Sequence, residues 1–325
     1  MASKIVGLGM HAPPKKLTNH DLEKMVETSD SWILERTGIR SRRIADPGGA
    51  NSDLALIASK RALADAGVRP EDIDLIVVGT CTADMPLPST ACFLQMKLGA
   101  RNACAMDVNA ACSGFLYSLS VADALIRAGR GKKALVLGSE VLSSIVDYTD
   151  RSTCILFGDG AGAAVLAECA EGEGILSCHL QSDGGLWELI HCPGPGTVNP
   201  LTPDLISRRM MYLRMSGNET FKHAVTKMAD VAMKALSENG FGIDDVALFI
   251  PHQANLRIIN AVGKRLGVPP DRVFVNLEQY GNTSAASIPI ALSEAKAQGR
   301  IMPGDLALLV AFGAGLTWAS ALIRM

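Results

Sequence analysis

Leu63-Ala-Asp-Ala-Gly67-Val-Arg-Pro-Glu-Asp72-Ile-Asp-Leu-Ile-Val77 returns 173 positions later (236 minus 63), without a gap, as Leu236-Ser-Glu-Asn-Gly240-Phe-Gly-Ile-Asp-Asp245-Val-Ala-Leu-Phe-Ile250. Each copy reads as a helix end, a Gly that caps it, an acidic turn and a buried strand. The same offset recurs further on. Ala134-Leu-Val-Leu137 aligns with Ala307-Leu-Leu-Val310, each just after a charged turn containing Gly. A register shared by two separate places reads as internal duplication. The period is far longer than that of a solenoid, so each half is a layered α/β unit in its own right. The junction falls in the polar turn Glu171-Gly-Glu-Gly174, after the apolar run Ala161 to Ala167. That divides the chain into 1–172 and 173–325. The stretch Cys192 to Met211, rich in Pro and Gly and then basic at Arg208 and Arg209, reads as a surface excursion of the second half.

The bulk numbers agree with two similar α/β halves. A length of 325 residues exceeds one small core. Hydrophobic residues at 48% and charged residues at 20% give a globular balance. Aromatics reach only 5%, so the core is aliphatic and rich in Ala and Gly, which suits helices packed closely on sheets. A formal net charge of −2 gives no reason to expect nucleic acid or an anionic membrane as a partner. No apolar run reaches the roughly 18 residues that a membrane span needs. The segment Met1 to Met10 lacks the long apolar core of a signal peptide and reads as a first strand. The expected location is the cytoplasm.

The chain has eight cysteines, at 81, 92, 104, 112, 154, 169, 178 and 192. None forms Cys-x-x-Cys and none has zinc-finger spacing with His, so no metal site is expected. They read as thiols, mostly small buried hydrophobes. Cys112 differs by its setting. Met106-Asp-Val-Asn-Ala-Ala-Cys112 ends a strand, and Leu116, Leu119, Val121 and Leu125 follow on helical spacing. Cys112 thus stands at a strand-to-helix turn, where free N–H groups and the helix dipole favour a thiolate. On this pattern alone, a nucleophile and a buried packing Cys are equally good readings.

The second half adds partners. Pro251-His252-Gln-Ala-Asn255 follows directly on the repeated strand, and α/β sheets place chemistry at the C-terminal ends of their strands. Gly281-Asn282-Thr-Ser-Ala-Ala-Ser287 leads into a helix, and Ala311-Phe-Gly313-Ala314-Gly315 is a Gly-rich turn after a buried strand. Singly, these are a core histidine, a helix cap and a turn. Together they supply a nucleophile, an imidazole, an amide donor and a backbone N–H for an oxyanion.

On these residues the chain resembles the β-ketoacyl-acyl-carrier-protein synthase III family, the condensing enzymes that start type II fatty acid synthesis. The similarity spans the whole chain. It includes Thr28-Ser-Asp-Ser-Trp32-Ile-Leu-Glu-Arg36-Thr-Gly-Ile-Arg40, Asp107-Val-Asn-Ala-Ala-Cys112 and Phe157-Gly-Asp-Gly-Ala-Gly-Ala-Ala164. It continues in Pro251-His-Gln-Ala-Asn-Leu-Arg257, Gly281-Asn-Thr-Ser-Ala-Ala-Ser287 and Phe312-Gly-Ala-Gly-Leu-Thr-Trp318. The resemblance implies the thiolase fold, in which two duplicated α/β halves form a five-layered αβαβα core, and it implies a homodimer.

It also implies roles. Cys112, His252 and Asn282 would be the catalytic triad, with the backbone N–H groups of Cys112 and Ala314 as oxyanion hole. Ala314 stands where many relatives have Gly. Thr28, Trp32, Arg36, Arg151, Gly217, Phe221 and Asn255 would bind coenzyme A. Leu87, Leu156 and Phe157 would bound the acyl pocket, Leu87 reaching across the dimer. Because some acetyl-specific relatives have Phe at that position, Leu87 implies room for longer primers. Lys222, Arg257, Lys264 and Arg265 would dock acyl carrier protein. Acyl-CoA and malonyl-acyl-carrier-protein would be substrates, with no metal, nucleotide or redox cofactor.

Rival readings share the fold. A degradative thiolase needs a second Cys in the late Gly-rich motif, and Phe312–Trp318 has none. A hydroxymethylglutaryl-CoA synthase needs a catalytic Glu in the first half, for which the sequence offers no good match. A starter enzyme of a polyketide or alkylquinolone pathway would share the triad. A non-catalytic acyl-binding protein would not need it.

Overall fold

The structure, a computed structural model, describes residues 2–325. Two sheets form its frame. The first is built from β1 (Ala2–His11), β2 (Leu75–Gly79), β3 (Cys104–Val108), β4 (Lys133–Glu140) and β5 (Gly160–Cys169), in the order β1-β5-β4-β2-β3. The second contains β6 (Gly174–Ser182), β7 (Leu248–Pro251), β8 (Leu306–Gly313) and β9 (Thr317–Arg324), in the order β6-β9-β8-β7. The two orders correspond strand for strand. β2 and β4 are parallel, as are β7 and β8. Leu75 stands opposite Ala134, and Leu248 stands opposite Ala307, so the pairing register repeats at the sequence offset. The fifth strand is reduced in the second half to one bridge, Phe249 to Val273.

Seven helices matter here: α1 (Asp30–Thr37), α2 (Asn51–Ala66), α3 (Thr90–Leu98), α4 (Gly114–Arg127), α5 (Gly217–Glu238), α6 (Leu256–Leu266) and α7 (Ser287–Ala297). The alternation along each strand decides how they stack. Leu75 and Val77 of β2 face a cluster with Leu116 and Leu119 of α4 and Ile288 and Leu292 of α7. Ile76 and Val78 face the other way, toward α2 and α3. In the second sheet, Leu248, Ile250 and Leu309 face the same central cluster, while Phe249, Leu308 and Val310 pack against α5 and α6. The layers are therefore helix, sheet, helix, sheet, helix, as in the thiolase fold. Leu116 and Leu119 are fully buried, which stabilises by about 1.5–3 kcal/mol each.

The quoted repeat has the local form that its residues dictate. Gly67 and Gly240 end α2 and the α5 turn at φ +64° and +72°, a conformation that Gly adopts freely. Short 3₁₀ turns follow at Pro70–Asp72 and Ile243–Asp245. Residues 170–173 connect β5 to β6, the last strand of one sheet to the first of the other.

Candidate active site

The nucleophile candidate sits on a strained turn. β3 ends at Val108, a 3₁₀ turn covers Ala111–Ser113, and α4 begins at Gly114. Ala111 has φ +46°, which is costly for a residue with a Cβ. The turn is held by the start of β9: Thr317 Oγ1 donates to Ala110 O at 2.9 Å, and Ser113 Oγ donates to Thr317 O at 3.2 Å. Gly313 packs against Cys112. A Cβ there would lie 2.6 Å from Cys112 N and 2.9 Å from Cys112 Cβ, so only Gly fits. Neither the Cys112 N–H nor the Ala314 N–H is taken by a hydrogen bond to another described residue. Ala314 is not among the residues with positive φ, so its Cβ brings no backbone strain.

His252 and Asn282 enter from the other half. His252 directly follows β7, and its N–H donates to Val310 O at 2.8 Å. It is buried, with Nδ1 2.7 Å from Ser287 Oγ. Asn282 is pinned to the first half through the backbone: its N–H donates to Leu156 O at 2.9 Å, and its carbonyl accepts from Gly158 N–H at 3.0 Å. Its Oδ1 accepts from Ser284 N–H at 2.9 Å, which leaves the Nδ2 donors free. Cys112, His252, Asn282, Gly313 and Ala314 all line one cavity of about 920 Å³.

Electrostatics corrects one expectation. The helix start implies a lowered pKa for the Cys112 thiol. Burial instead pushes it up to about 11, with a smaller upward push from Glu140, while a hydrogen bond with Ser284 pulls it down. The reason is that desolvation of an anion outweighs the half-charge of a helix terminus. Burial also lowers His252 to about 3, so its imidazole is neutral. The site thus holds a neutral thiol and a neutral imidazole.

Sequence reasoning missed three residues. Ser287 is the partner of His252 and lies 35 positions away, too far for a local pattern. Glu140, fully buried at the end of β4, accepts from Thr80 Oγ1 at 3.1 Å, Cys81 N–H at 3.2 Å, Ser284 Oγ at 3.2 Å and Thr82 Oγ1. Burial raises its carboxyl, and burial with Glu140 beside it pushes the Cys81 thiol well up. Cys81 lines the cavity wall. An acidic residue closing a buried strand was the available signal for Glu140.

The other expected residues divide. Arg36, Gly217, Phe221, Lys222, Asn255, Arg257, Leu156 and Phe157 line the cavity. Asn255 spends its side chain on structure: Nδ2 donates to Arg36 O at 3.0 Å, and Oδ1 caps α6 at Arg257 N–H at 2.8 Å. Trp32, on α1, lies between two guanidinium groups, Arg36 at 4.6 Å and Arg151 at 4.9 Å from the ring centroid. Arg151 also donates to Glu27 O at 2.9 Å. Thr28 has a buried hydroxyl without a hydrogen-bond partner. Neither Thr28, Trp32 nor Arg151 is on the cavity wall. Leu87 is 84% exposed and away from its own chain's cavity. Lys264 and Arg265 lie in the last turn of α6, where Arg265 pairs with Asp230, and Lys222 pairs with Glu219. Of the expected surface excursion, Cys192 to Met211, only Cys192 lines the cavity; the flanking Ile190, Leu213 and Met215 do so too, because a two-stranded ribbon, Ile190–His191 with Arg214–Met215, draws the ends of the excursion together.

No cluster of three or more His, Cys, Asp or Glu suited to a metal occurs among the described residues, and no helix is long and apolar enough to cross a membrane.

Comparison with known proteins points one way. Residues 106–184 match the family model for 3-oxoacyl-[acyl-carrier-protein (ACP)] synthase III, and residues 236–325 match the model for its C-terminal part. A beta-ketoacyl-[acyl-carrier-protein] synthase III of Roseiflexus castenholzii is 54% identical over 320 residues, 98% of this chain and 97% of that one. The one of Caldanaerobacter subterraneus is 50% identical, covering 100% of this chain and 98% of its own. Among solved structures, the 3-oxoacyl-[acyl-carrier-protein] synthase III of Aquifex aeolicus superposes with a TM-score of 0.93 at 47% identity, over 99% of this chain and 100% of that one.

Proposed function

This chain belongs to the β-ketoacyl-[acyl-carrier-protein] synthase III family, the acyltransferases that initiate fatty acid synthesis by condensation, and from that premise we propose how its cavity works. Cys112 takes the acyl group of an acyl-CoA and passes it to the carbanion formed when malonyl-acyl-carrier-protein loses carbon dioxide. The observation that carries this reading is that Cys112, His252 and Asn282 line one cavity, beside two N–H groups with no acceptor on another described residue.

The chemistry follows from the charges. As the Cys112 sulfur attacks the acyl carbon, the thiol proton passes to the coenzyme A sulfur that leaves. The N–H groups of Cys112 and Ala314 hold the tetrahedral oxyanion. Coenzyme A departs with the proton, leaving acyl-Cys112. The malonyl thioester then enters. His252 and Asn282 donate hydrogen bonds to its carbonyl oxygen, which gains negative charge as the carboxylate leaves as carbon dioxide. The carbanion attacks acyl-Cys112, a carbon–carbon bond forms, and the Cys112 sulfur leaves and is reprotonated. The balance closes without metal, nucleotide or redox cofactor.

The remaining assignments are part of the same proposal. Coenzyme A lies along Arg36, Gly217 and Phe221, with Trp32, Arg151 and the unpartnered hydroxyl of Thr28 at its outer end. The chain works as a homodimer in which exposed Leu87 ends the partner's acyl pocket. Acyl carrier protein docks at Lys222, Arg257, Lys264 and Arg265. The boundary between the halves stands at 172/173, and the site of action is the cytoplasm.

Incubation with acyl-CoA followed by mass spectrometry of peptides tests the core of this reading. An adduct on Cys112 is expected. An adduct on another cysteine, or none with any acyl-CoA, rejects it. Rates with acetyl-, butyryl- and isobutyryl-CoA test the Leu87 assignment, and a strict acetyl preference would show that something else fills the space.

A further inference from the structure

His252 is useful as a donor only if the proton sits on Nε2, the nitrogen left for the cavity. Burial keeps the ring neutral. A neutral imidazole carries one proton on one of two nitrogens, and the hydrogen bond at one nitrogen decides the other. The hydrogen bonds around Ser287 settle which. Ser287 Oγ lies 2.7 Å from His252 Nδ1 and accepts from Gln253 N–H at 3.4 Å. These are its only hydrogen-bond partners among the described residues. Ser287 is 2% exposed, so bulk solvent does not reach its hydroxyl. Gln253 N–H has its one proton to give and nothing to accept. If Nδ1 carried the ring proton, two donors would point at Ser287 Oγ and its own buried proton would have no acceptor, an unfavourable state. If Nδ1 is bare, Ser287 donates to it, accepts from Gln253, and every proton is placed.

The donor side is itself fixed. Gln253 Nε2 donates to Pro251 O at 2.7 Å and to Phe274 O at 3.1 Å, and its Oε1 accepts from Asn276 N–H at 3.0 Å. The backbone that presents Gln253 N–H to Ser287 is therefore held at both ends. The duplication adds a second argument. The positions 173 earlier than His252 and Ser287 are Gly79 and Gly114. In the first half these touch backbone to backbone, since a Cβ on Gly79 would lie 2.4 Å from Gly114 C. The second half has replaced both members of that contact, one with an imidazole and the other with the hydroxyl that meets it.

We propose that Ser287 is a positioning residue that holds His252 as its Nε2–H tautomer, and so serves decarboxylation and condensation. The proposal rests on the role given to His252 above. Acyl transfer to Cys112 uses backbone N–H groups as donors and depends on Ser287 little.

The test separates the half-reactions. In Ser287→Ala, condensation and malonyl-acyl-carrier-protein decarboxylation should fall by roughly 10- to 100-fold, less than loss of a donor outright. Acylation of Cys112 by acyl-CoA should stay within about 3-fold. Ser287→Thr keeps the hydroxyl and should restore most of the rate. Nitrogen NMR of ¹⁵N-histidine-labelled wild-type protein reads the tautomer directly, with no variant that must fold. A protonated Nε2 and bare Nδ1 are expected, giving way to a mixture in Ser287→Ala. A protonated Nδ1 in the wild type overturns the proposal. So does an unchanged condensation rate in Ser287→Ala, an equal fall in both half-reactions, or no recovery in Ser287→Thr. Absence of any acyl adduct on wild-type Cys112 would instead reject the function on which it rests.

Discussion

The turn Ala111–Ser113 and the turn Ser284–Ala286 are one structure made twice, 173 positions apart, and they do different work. Each follows an Asn whose Oδ1 accepts the N–H two residues on: Asn109 to Ala111 at 3.4 Å, Asn282 to Ser284 at 2.9 Å. Each puts its first residue at positive φ, +46° in Ala111 and +49° in Ser284. Each runs straight into a central helix, at Gly114 and Ser287. Yet the first carries Cys112 where the second carries Ala285. The second half carries His252 and Ser287 where the first has Gly79 and Gly114. The strained turn is thus a property of the fold. Chemistry comes from what each copy hangs on it, and the site exists because the two copies meet.

The largest effect is expected from making the two turns alike. Cys112→Ala gives the first turn the side chain of the second. Acyl transfer should fall by about 10⁴-fold or more, and mass spectrometry should find no acyl adduct at this site. Malonyl decarboxylation should persist, because its donors are untouched. Residual transfer to Cys81, which lines the same cavity, would break the contrast.

Next comes the amide of the second turn. Asn282→Ala removes a donor to the developing oxyanion, and condensation should fall by about 10²–10³-fold. Acylation of Cys112 should change little. A matching loss of acylation would mean that the second turn also serves the first half-reaction.

The glycine contact of the first half is a matter of stability. In Gly79→Ala the new Cβ meets backbone carbon and oxygen of Gly114 at 2.4 and 2.6 Å, neither of which can move without shifting α4. A loss of about 3 kcal/mol is expected, read as a lower denaturation midpoint. An unaltered midpoint would show that β2 and α4 are not locked by this contact.

Much of this was legible in the sequence, and the exceptions have physical causes. The repeat was visible because Gly67 and Gly240 must cap helices, and because β2 and β7 are apolar on both faces. The equivalence of the two turns was not, since Asn is the only residue that the six-residue segments Asn109–Gly114 and Asn282–Ser287 share position for position. Positive φ at Ala111 and Ser284 is imposed by packing, and neither side chain announces it. The proposed triad was readable as motifs. Ser287 and Glu140 were not, because their roles depend on contacts with residues 35 and 144 positions away.

The acidity of Cys112 was misread for the same reason: a helix start is visible in sequence, but the depth of burial is not. The consequence is measurable. With the thiol at about 11, its ionised fraction rises tenfold per pH unit through the neutral range. Alkylation of Cys112 by iodoacetamide should therefore climb about tenfold per unit from pH 7 to 9, with no plateau. A plateau near pH 7 would restore the helix-terminus reading and remove the need for a proton acceptor during acylation.

The smallest effect is the most discriminating. Asn109 holds in the first turn the place that Asn282 holds in the second, makes the same hydrogen bond, and also lines the cavity. A role set by the fold would make the two interchangeable. The surroundings differ. Asn109 is exposed and its bond is long at 3.4 Å, while Asn282 is 6% exposed and tied by its backbone to Leu156 and Gly158. A donor works on an oxyanion when it is fixed and shielded from water. Asn109→Ala should thus leave condensation within about 3-fold. If it matches Asn282→Ala, both asparagines touch the reacting thioester, and the division of labour between the halves is wrong.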